Sequence, residues 1–509
     1  MIARKSVLIV TTKLLNGSLG YLGLFFIARY MEPADYGIIS FAIGFVTLLT
    51  ILTNLGFVSA HIKRVSEGKE LGRCIGTFLS IRAILITSAL AVFFTGIFIW
   101  TNVLGRGFET PMHLQAVYII LIFWIFSQII QSLSATFQAK KEIARHQLPF
   151  LINGVVRTSA IIYVALSGYG VLELAWAYVA GEFVHLLITF LFFRKYPIKK
   201  PTKSYIKSYR VFAFPLMIVS ASSIIMSNID KILIQLFWSS ADVGYYFAAF
   251  RVSNFIIMFT AAIGMLIFPT YSKLHAAGDI NQIKKLTYDS ERHLSLIVFP
   301  MVFGLIILAE PTAFILLSGW MPAVPLLQIL PFVVLFKTLA TPYLFQFNGM
   351  NRPELNRSRI VIMVICNLIL NFLLIPKDIQ MLGINLFGLG AKGAAIATVV
   401  SFATGLVYTR IMSYKLIGEK GNIRIVIHAF AAIVMAGALY ILLYNFDLIL
   451  WITRWYNLLF FAAFGLGIYL GILALFKEFT KEDFFFYMET LNIKKMFKYI
   501  SSEFKDNKK

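Results

Sequence analysis

Apolar stretches long enough to cross a lipid bilayer follow one another along almost the whole chain. A membrane-spanning helix needs about 20 predominantly apolar residues, and fourteen stretches approach or exceed that length. They lie at residues 7–28, 38–60, 77–100, 114–137, 148–166, 171–193, 213–238, 243–268, 294–317, 323–346, 358–376, 390–413, 424–444 and 455–476. Long apolar runs joined by short loops favour helices over the alternating short strands of a membrane barrel.

The composition points to the same environment. Hydrophobic residues make up 59% of the chain and charged residues only 14%, whereas an ordinary soluble domain carries roughly 25% charged residues. A water-soluble protein of this composition could not cover its surface with polar groups. We therefore predict an all-α integral membrane protein with about 14 transmembrane helices.

The lysines and arginines are distributed unevenly between alternate loops. With the N-terminus in the cytoplasm, most of the 46 fall in cytoplasmic segments. The opposite loops hold Arg29, Arg106, Lys377, Lys392 and Arg454. This asymmetry follows the positive-inside rule and predicts a multi-pass protein of the cell membrane with both termini in the cytoplasm. It also accounts for most of the net charge of +22, so a nucleic-acid partner is not required.

Two sequence patterns occur twice, in the same order. Residues 34–37 (ADYG) resemble residues 241–244 (ADVG) at an offset of 207, and residues 168–177 resemble residues 388–397 at an offset of 220. An even number of spans per repeat keeps both halves in one orientation, as in transporters with parallel repeats. We therefore predict two pseudo-symmetric six-helix lobes followed by two C-terminal helices, with substrate bound between the lobes.

The predicted boundaries follow from these repeats and from the loops. They are a first lobe at residues 1–195, a basic cytoplasmic linker at 196–212, a second lobe at 213–413, two helices at 414–476 and a cytoplasmic amphipathic tail at 477–509. The linker region Arg194–Arg210 contains no acidic residue. It is interpreted as a topology anchor, and it could also attract anionic lipid headgroups.

Six basic residues lie five or more residues inside the ends of the predicted spans, where a central charge costs about 2.5–3.5 kcal/mol on insertion scales. They are Lys13, Arg82, Arg157, Lys231, Arg251 and Lys337. Lys13 and Arg82 lie near the cytoplasmic ends of their spans, where a long side chain can reach the interface. This interpretation is preferred for both, although Lys13 is kept as a candidate for substrate binding.

The other four cations are predicted to bind an anionic substrate. Arg157 and Lys337 lie deep within spans of opposite halves, and Lys231 and Arg251 are placed nearer the outer face. Pairing with carboxylates inside the membrane is the alternative, but such acids are fewer than the cations. The excess positive charge favours a ligand such as a phosphate, which arginine can bind with two hydrogen bonds.

Two acidic residues within the spans are candidates for ion coupling. Asp230 either holds the adjacent Lys231 in place or binds a coupling Na⁺ or H⁺, and Glu182 is a second candidate in the first half. No other cofactor is expected. No metal site is expected either, because only two cysteines are present and Glu182-Phe-Val-His185 has no second Glu-x-x-His partner.

Four segments resemble the polysaccharide transporter family, the Wzx-type flippases of lipid-linked oligosaccharides in the MATE-like MOP superfamily. They are Ile27–Phe45, Asn228–Tyr246, Asn367–Pro376 and Leu389–Ser401. The resemblance implies a V-shaped, two-lobed fold with a cationic central cavity. It also implies movement of a polyprenyl-(pyro)phosphate-linked glycan from the cytoplasmic to the outer leaflet by alternating access, coupled to an ion gradient.

Membrane lipids and an anionic lipid-linked glycan are thus the expected partners, and glycan-assembly enzymes are candidate partners. The chain departs from the family pattern in the loop at 377–389, which is longer than the usual turn. The loop is interpreted as a variable segment, with an outer lid as the alternative.

Three other functions are alternatives for a membrane protein of this kind. A peptidoglycan-precursor flippase would share these features and differ in substrate. An antiporter of cationic small molecules should have an acidic cavity, whereas the excess here is basic. A glycan polymerase or ligase should have a large outer loop with paired functional residues, and the sequence contains none, so the protein is expected not to be an enzyme.

Overall fold

The computed structural model describes residues 2–103, 105, 107–379 and 384–478, and within these ranges it is almost entirely helical. The helices before the linker are α1 (Ile2–Tyr30), α2 (Pro33–Thr47), α3 (Thr50–Asn54), α4 (Phe57–Ser66), α5 (Leu71–Phe98), α6 (Pro111–Ala139), α7 (Ile143–Leu166) and α8 (Val171–Phe193). We call α1–α8 the first lobe.

The remaining helices begin in the linker. They are α9 (Lys203–Ala213), α10 (Met217–Phe237), α11 (Ser240–Asn254), α12 (Ile257–Ala276), α13 (Ile280–Ile307), α14 (Ala309–Leu316), α15 (Val324–Ile329), α16 (Pro331–Gly349), α17 (Pro353–Leu374), α18 (Gly390–Ile417), α19 (Ile425–Tyr440) and α20 (Trp455–Leu475). We call α10–α18 the second lobe. Short 3₁₀ or π-helical turns occur at Ile99–Val103, Phe214–Leu216, Met321–Ala323, Ile441–Asn445 and Leu448–Trp451.

Among the described residues, twelve helical segments are long and apolar enough to span a membrane. The other two predicted spans correspond to α1 and to the interrupted pair α11 and α12. The prediction of an all-helical, multi-pass membrane protein is therefore confirmed. The predicted tail lies outside the described residues except for 477–478.

The helices repeat more closely than the sequence motifs do. Both α2 and α11 have 15 residues and begin 207 positions apart, and each is followed by a two-residue break, at 48–49 and 255–256. Likewise α5 and α13 both have 28 residues. The duplication therefore includes the positions at which the helices are interrupted.

The helices of each lobe pack mainly on one another. In the first lobe α7 packs between α1 and α8, and in the second lobe α18 packs against α16 and α17. Helices α19 and α20 follow, with α19 packed on α13. The lobes meet chiefly where α2 contacts α11 and α10. The domain boundaries given above remain a prediction.

Two glycines from the repeated motif allow the lobes to touch. A Cβ atom on Gly37 would lie 1.7 Å from the carbonyl oxygen of Ser240, and one on Gly244 would lie 2.0 Å from that of Pro33. The backbones of α2 and α11 are therefore in direct contact near the start of both helices. We call this end of the molecule the far end, and the end that carries α9 the basic end.

Two smaller elements lie at opposite ends. At the basic end, α9 packs on α4 and α5, and its buried Tyr209 hydroxyl bonds to His61 Nδ1 at 2.9 Å. At the far end, β1 (Asp378–Ile379) pairs antiparallel with β2 (Ile384–Asn385). This hairpin occupies the loop that departs from the family pattern.

Candidate functional site

Arginines from the two lobes line one small cavity. Arg157 on α7 and Arg251 in the last turn of α11 both face a cavity of about 40 Å³. The Arg157 guanidinium lies 5.8 Å from the centre of the Tyr178 ring. The sequence placed these arginines at different depths, but α11 starts at the far end and brings Arg251 to the level of Arg157. The cavity has room for only a few water molecules.

Arg251 also connects the lobes through α1 and α2. Its guanidinium donates a long hydrogen bond of 3.5 Å to the Tyr36 hydroxyl, and its backbone carbonyl accepts a 3.0 Å bond from the Tyr21 hydroxyl. A Cβ atom on Gly20 would lie 2.3 Å from Arg251 Nη2, so any larger residue at this position would require the guanidinium to move. The arginine is thereby held between aromatic hydroxyls and not by a carboxylate.

Lys337 lies on a polar strip of α16, and its side chain is exposed. Most of α16 is buried, and its accessible positions include Lys337 and Asn348. A lipid-facing strip would be apolar, so this strip fits a wet cleft. Arg359 on α17 is close enough to repel Lys337 electrostatically. Arg359 is the second residue of the predicted span 358–376, and it was not predicted as a site residue because a basic residue at the edge of a span is expected to belong to the loop.

Lys231 is buried against the seam between the lobes. Its side chain is only 8% exposed, its ammonium nitrogen lies 4.5 Å from the centre of the Phe247 ring, and it donates a 3.3 Å bond to Asn228 Oδ1. Its stem lies next to Gly44 of α2. Lys231 is therefore less accessible to a ligand here than Arg157 or Lys337.

Asp230 points away from Lys231 into a cage of polar side chains in the second lobe. Its carboxylate accepts hydrogen bonds from the Tyr246 hydroxyl at 2.6 Å, Asn371 Nδ2 at 2.7 Å and the Thr398 hydroxyl at 2.8 Å. Asn371 Nδ2 also donates to Asn367 Oδ1 at 3.0 Å. Among the described residues, Asp230 has no cation within 4.0 Å, so it does not hold Lys231 as an ion pair.

The cage contains one feature that a bound cation would explain. Asn371 Oδ1 is buried without a hydrogen-bond partner among the described residues. Buried amide oxygens are normally satisfied, and hard cations bind carboxylate, amide and hydroxyl oxygens. Asp230, Asn367, Asn371 and Thr398 supply such oxygens, so the residues present fit a Na⁺ ion. Protonation of Asp230 is the alternative.

Glu182 is buried within the first lobe. Its carboxylate accepts a 2.5 Å bond from Asn153 Nδ2 and lies 3.7 Å from His185 Nδ1. Its helical neighbour Gly181 packs against Arg157, where an added Cβ would lie 2.7 Å from the arginine Cβ. Glu182 is thus near Arg157 without forming an ion pair with it, and its role in coupling remains a prediction.

The two residues near the basic end behave differently. Lys13 on α1 has an exposed side chain, as an interfacial lysine should. The same interpretation of Arg82 is wrong, because its side chain is only 1% exposed. Arg82 donates to the Thr53 carbonyl at 2.6 Å, Gln128 Oε1 at 2.8 Å and Ser132 Oγ at 3.0 Å. From α5, Arg82 therefore satisfies a carbonyl group in the last turn of α3, and its side chain does not reach a membrane interface.

The intramembrane cations share one electrostatic property. No carboxylate of the described chain lies within 4.0 Å of Arg157, Lys231, Arg251, Lys337 or Arg359. Internal pairing therefore does not account for them. A site with several uncompensated cations in a low-dielectric region is suited to an anion.

Comparisons with known proteins agree with this architecture. A family model described as polysaccharide biosynthesis protein matches residues 26–325. The probable low-salt glycan biosynthesis flippase Agl15 of Haloferax volcanii is 25% identical over 410 residues, covering 80% of this chain and 82% of Agl15. The succinoglycan biosynthesis transport protein ExoT of Rhizobium meliloti is 24% identical over 328 residues, covering 62% of each chain.

Two solved structures share the fold. The lipid II flippase MurJ in an inward closed conformation gives a TM-score of 0.72 at 15% identity, covering 92% of this chain and 98% of MurJ. An inward-facing multidrug resistance MATE transporter of the MOP superfamily gives a TM-score of 0.63 at 14% identity, covering 79% and 95%. Together with the family match over more than half of the sequence, these findings show that the chain belongs to the polysaccharide biosynthesis protein family and has the fold of MOP-superfamily transporters.

Proposed function

We propose that the protein is a flippase that moves a lipid-linked oligosaccharide across the membrane by alternating access. The glycan is carried on a polyprenyl phosphate or pyrophosphate, whose charge cannot cross hydrocarbon unaided. The observation that carries the proposal is the cavity shared by Arg157 and Arg251, where cations of opposite lobes meet without a carboxylate. Family membership and the flippase relative support the substrate class.

The two arginines would bind the phosphate at the centre of the pathway. Guanidinium groups form paired, charge-assisted hydrogen bonds to phosphate oxygens. Because the cavity is only about 40 Å³ here, the lobes must separate along α1 and α11 to admit a phosphate. A ligand that bridges both arginines would then be sensitive to the relative position of the lobes, as alternating access requires.

Lys337 and Arg359 form a second pair of cations, in the second lobe, to which the phosphate could bind. Both lie without carboxylate partners on neighbouring helices α16 and α17, and Lys337 is exposed on a polar strip. Lys231 would contribute long-range attraction from its buried position, and Lys13 would act at the basic end. With this placement, the headgroup would move in steps between two pairs of cations, Arg157 with Arg251 and Lys337 with Arg359.

Energy for transport would come from an ion that binds at Asp230. Asp230 with Asn367, Asn371 and Thr398 would hold a Na⁺, and a proton on the Asp230 carboxylate would replace one accepted hydrogen bond with a donated one. Either event neutralises the one buried carboxylate of this cage and changes the packing of α10 against α17 and α18. Glu182 is the second candidate for coupling, in the first lobe.

We place the basic end in the cytoplasm and the protein in the cell membrane, since lysines and arginines concentrate on cytoplasmic sides. Transport would then run from the basic end towards the far end. The relatives are named as flippases and transport proteins, which supports transport as the activity and not catalysis. Export of cationic drugs fits less well because the shared cavity is itself cationic.

The decisive experiment reconstitutes the purified full-length protein in liposomes with defined polyprenyl-pyrophosphate-linked glycans. Leaflet exchange is measured with and without Na⁺ or pH gradients, for the wild type and Arg251→Ala. We expect gradient-stimulated exchange by the wild type and little by the variant. Arg352→Ala is the control, because Arg352 is exposed and its ion-pair partner within the described ranges is Glu354 at the surface. No exchange with any lipid-linked glycan would contradict the proposal.

A further inference from the structure

An apolar crevice separates the two lobes on the side away from the arginines. It has a volume of about 740 Å³ and lies between α5 of the first lobe and α10 of the second, with α2 and α3 as its floor. Aromatic side chains dominate its walls: Phe41, Phe45, Phe93, Trp100, Phe108 and Trp238. Nothing in the transport pathway proposed above uses this space.

The crevice opens towards the bilayer. At its edges, Val92 on α5 is 55% exposed and Leu236 on α10 is 51% exposed. The span that contains α5 is the least buried of the twelve candidate spans in the described chain. Water does not stably fill an apolar cavity of this kind. In a membrane the crevice must therefore be filled by hydrocarbon.

A hydrogen-bond network closes the crevice at the far end. The Glu109 carboxylate accepts bonds of 2.7 Å from both Gln235 Nε2 and the Ser240 hydroxyl, and Ser240 Oγ lies 2.8 Å from His113 Nε2. The His113 Nδ1 atom bonds to the Thr110 hydroxyl at 2.9 Å. Thr110, Glu109 and His113 belong to the first lobe, whereas Gln235 and Ser240 belong to the second, so the network joins the lobes.

The charge at this mouth identifies the class of lipid. Among the described residues, Glu109 is the carboxylate in the crevice lining, and the exposed Lys377 places its ammonium nitrogen 4.8 Å from the centre of the Trp238 ring in the wall. The Glu109 side chain is 46% exposed. A purely anionic carrier headgroup would be attracted by Lys377 but repelled by Glu109, whereas a zwitterionic headgroup can direct its ammonium group towards Glu109 and its phosphate towards Lys377. Charge complementarity therefore favours a phospholipid of the phosphatidylethanolamine type over the transported carrier.

We propose that this crevice is a binding site for an acyl chain of a zwitterionic membrane phospholipid. The chain contacts both lobes only while the far end is closed, because the two walls belong to different lobes. A ligand that binds one conformation better than another shifts the equilibrium towards it. The bound acyl chain thus stabilises the conformation in which the far end is closed, whether or not substrate is bound.

The test uses phosphatidylethanolamine with a photoreactive diazirine near the end of one acyl chain, in liposomes containing the full-length protein. After irradiation, cross-linked residues are mapped by mass spectrometry. We expect labelling of α5 and α10 inside the crevice at several times the level on the lipid face of α20. Equal labelling of the two faces would overturn the proposal.

A pair of glycine variants provides the matched control. A Cβ atom on Gly96 in the crevice wall, or on Gly467 in α20, would meet no atom within 4 Å, so both positions tolerate a side chain. Gly96→Phe should fill the crevice and lower its labelling several-fold, whereas Gly467→Phe should leave it unchanged. Gly96→Leu serves the same purpose if the phenylalanine variant is not monodisperse.

Competition distinguishes the two sources of hydrocarbon. Adding unlabelled polyprenyl phosphate in equal amount to the probe should leave crevice labelling unchanged. If the polyprenyl phosphate displaces the probe, the crevice binds the carrier and the proposal is wrong. Unchanged labelling in Gly96→Phe would also overturn it. None of these readouts depends on transport.

Discussion

Equivalent positions in the two lobes carry opposite chemistry. The offset of 207 residues between α2 and α11 makes Asp230 the counterpart of Gly23. Helices α7 and α17 begin 210 residues apart. At that offset, Asn367 is the counterpart of Arg157, and Asn371 is the counterpart of Ile161. In the first lobe Ile161 packs beside Gly23, and in the second lobe Asn371 donates a hydrogen bond to Asp230. The same contact is apolar in one lobe and polar in the other.

A second pair of contacts follows the same relation. Tyr178 corresponds to Thr398 at the offset of 220 found in the sequence. Arg157 lies over the Tyr178 ring, and Asn367 donates a 3.2 Å bond to the Thr398 hydroxyl. One ancestral arrangement of helices therefore supports a cationic pocket in the first lobe and an acidic cage in the second. We infer that duplication allowed the two proposed roles, phosphate binding and ion coupling, to be assigned to different lobes.

A third comparison concerns structure rather than transport. Arg82 and Glu291 both occupy the twelfth position of 28-residue helices, α5 and α13. Both are buried, at 1% and 0% exposure. Arg82 is satisfied by neutral acceptors, whereas Glu291 pairs with Arg410 and accepts a 2.9 Å bond from the Asn422 backbone amide. The buried charge has changed sign between the lobes, and its partners have changed with it.

The largest effect is expected from making the first lobe resemble the second at the phosphate site. Arg157→Asn introduces the residue that the second lobe has there, and it removes charge-assisted hydrogen bonds worth about 1.5–3 kcal/mol. Transport should fall about 10- to 100-fold, measured as the initial rate of leaflet exchange in liposomes. Arg352→Ala should transport normally. Wild-type transport by Arg157→Asn would show that this lobe does not bind the phosphate.

Removing the charge of the acidic cage should lower the transport rate less, but it should abolish the dependence of transport on an ion gradient. Asp230→Asn keeps the shape of the side chain and removes its charge, so exchange should continue slowly without responding to Na⁺ or pH gradients. Asn371→Ile, which copies the first lobe, should weaken the response. The measurement is the ratio of exchange rates with and without each gradient. If the ratio is unchanged in Asp230→Asn, Asp230 does not couple transport to the ion gradient, and Glu182 becomes the candidate for that role.

Arg82→Ala should destabilise the first lobe more than it alters the chemistry of transport. At least one buried acceptor loses its partner, and each such loss costs about 1–3 kcal/mol. The expected result is a lower thermal unfolding midpoint of the detergent-solubilised protein, with Lys substitution giving partial recovery. Normal stability of Arg82→Ala would contradict the structural role assigned to this residue.

The smallest effect is expected at the far-end network. Ser240→Ala removes hydrogen bonds to Glu109 and His113, each worth about 0.5–1.5 kcal/mol, without changing any residue of the arginine cavity. Opening of the far end should increase a few-fold, measured by distance distributions between spin labels on α5 and α10. Ser227→Ala is the control, because in the part of the chain that the structure describes the Ser227 hydroxyl donates to a carbonyl of its own helix. Identical distributions would show that the network does not hold the lobes.

Several features followed from the sequence because they depend on local composition. Apolar length predicted the membrane helices, and repeated motifs predicted two similar halves. The orientation inferred from the basic asymmetry stays a prediction. Arg157 and Arg251 could be chosen because an arginine within an apolar run is costly wherever the helix packs. The same reasoning singled out Asp230.

Only the tertiary structure decided which of these charges meet and which have partners. Arg157 and Arg251 are 94 residues apart in the chain and share a cavity because α11 packs on α2 of the other lobe, which brings Arg251 against Gly20 and Tyr21 of α1. Arg82 and Lys13 are both basic residues near the predicted cytoplasmic end of an apolar span. Arg82 is nevertheless buried among acceptors from α3 and α6, whereas Lys13 is exposed. The difference arises because side-chain partners come from helices distant in sequence, and their positions are set by packing across the whole molecule.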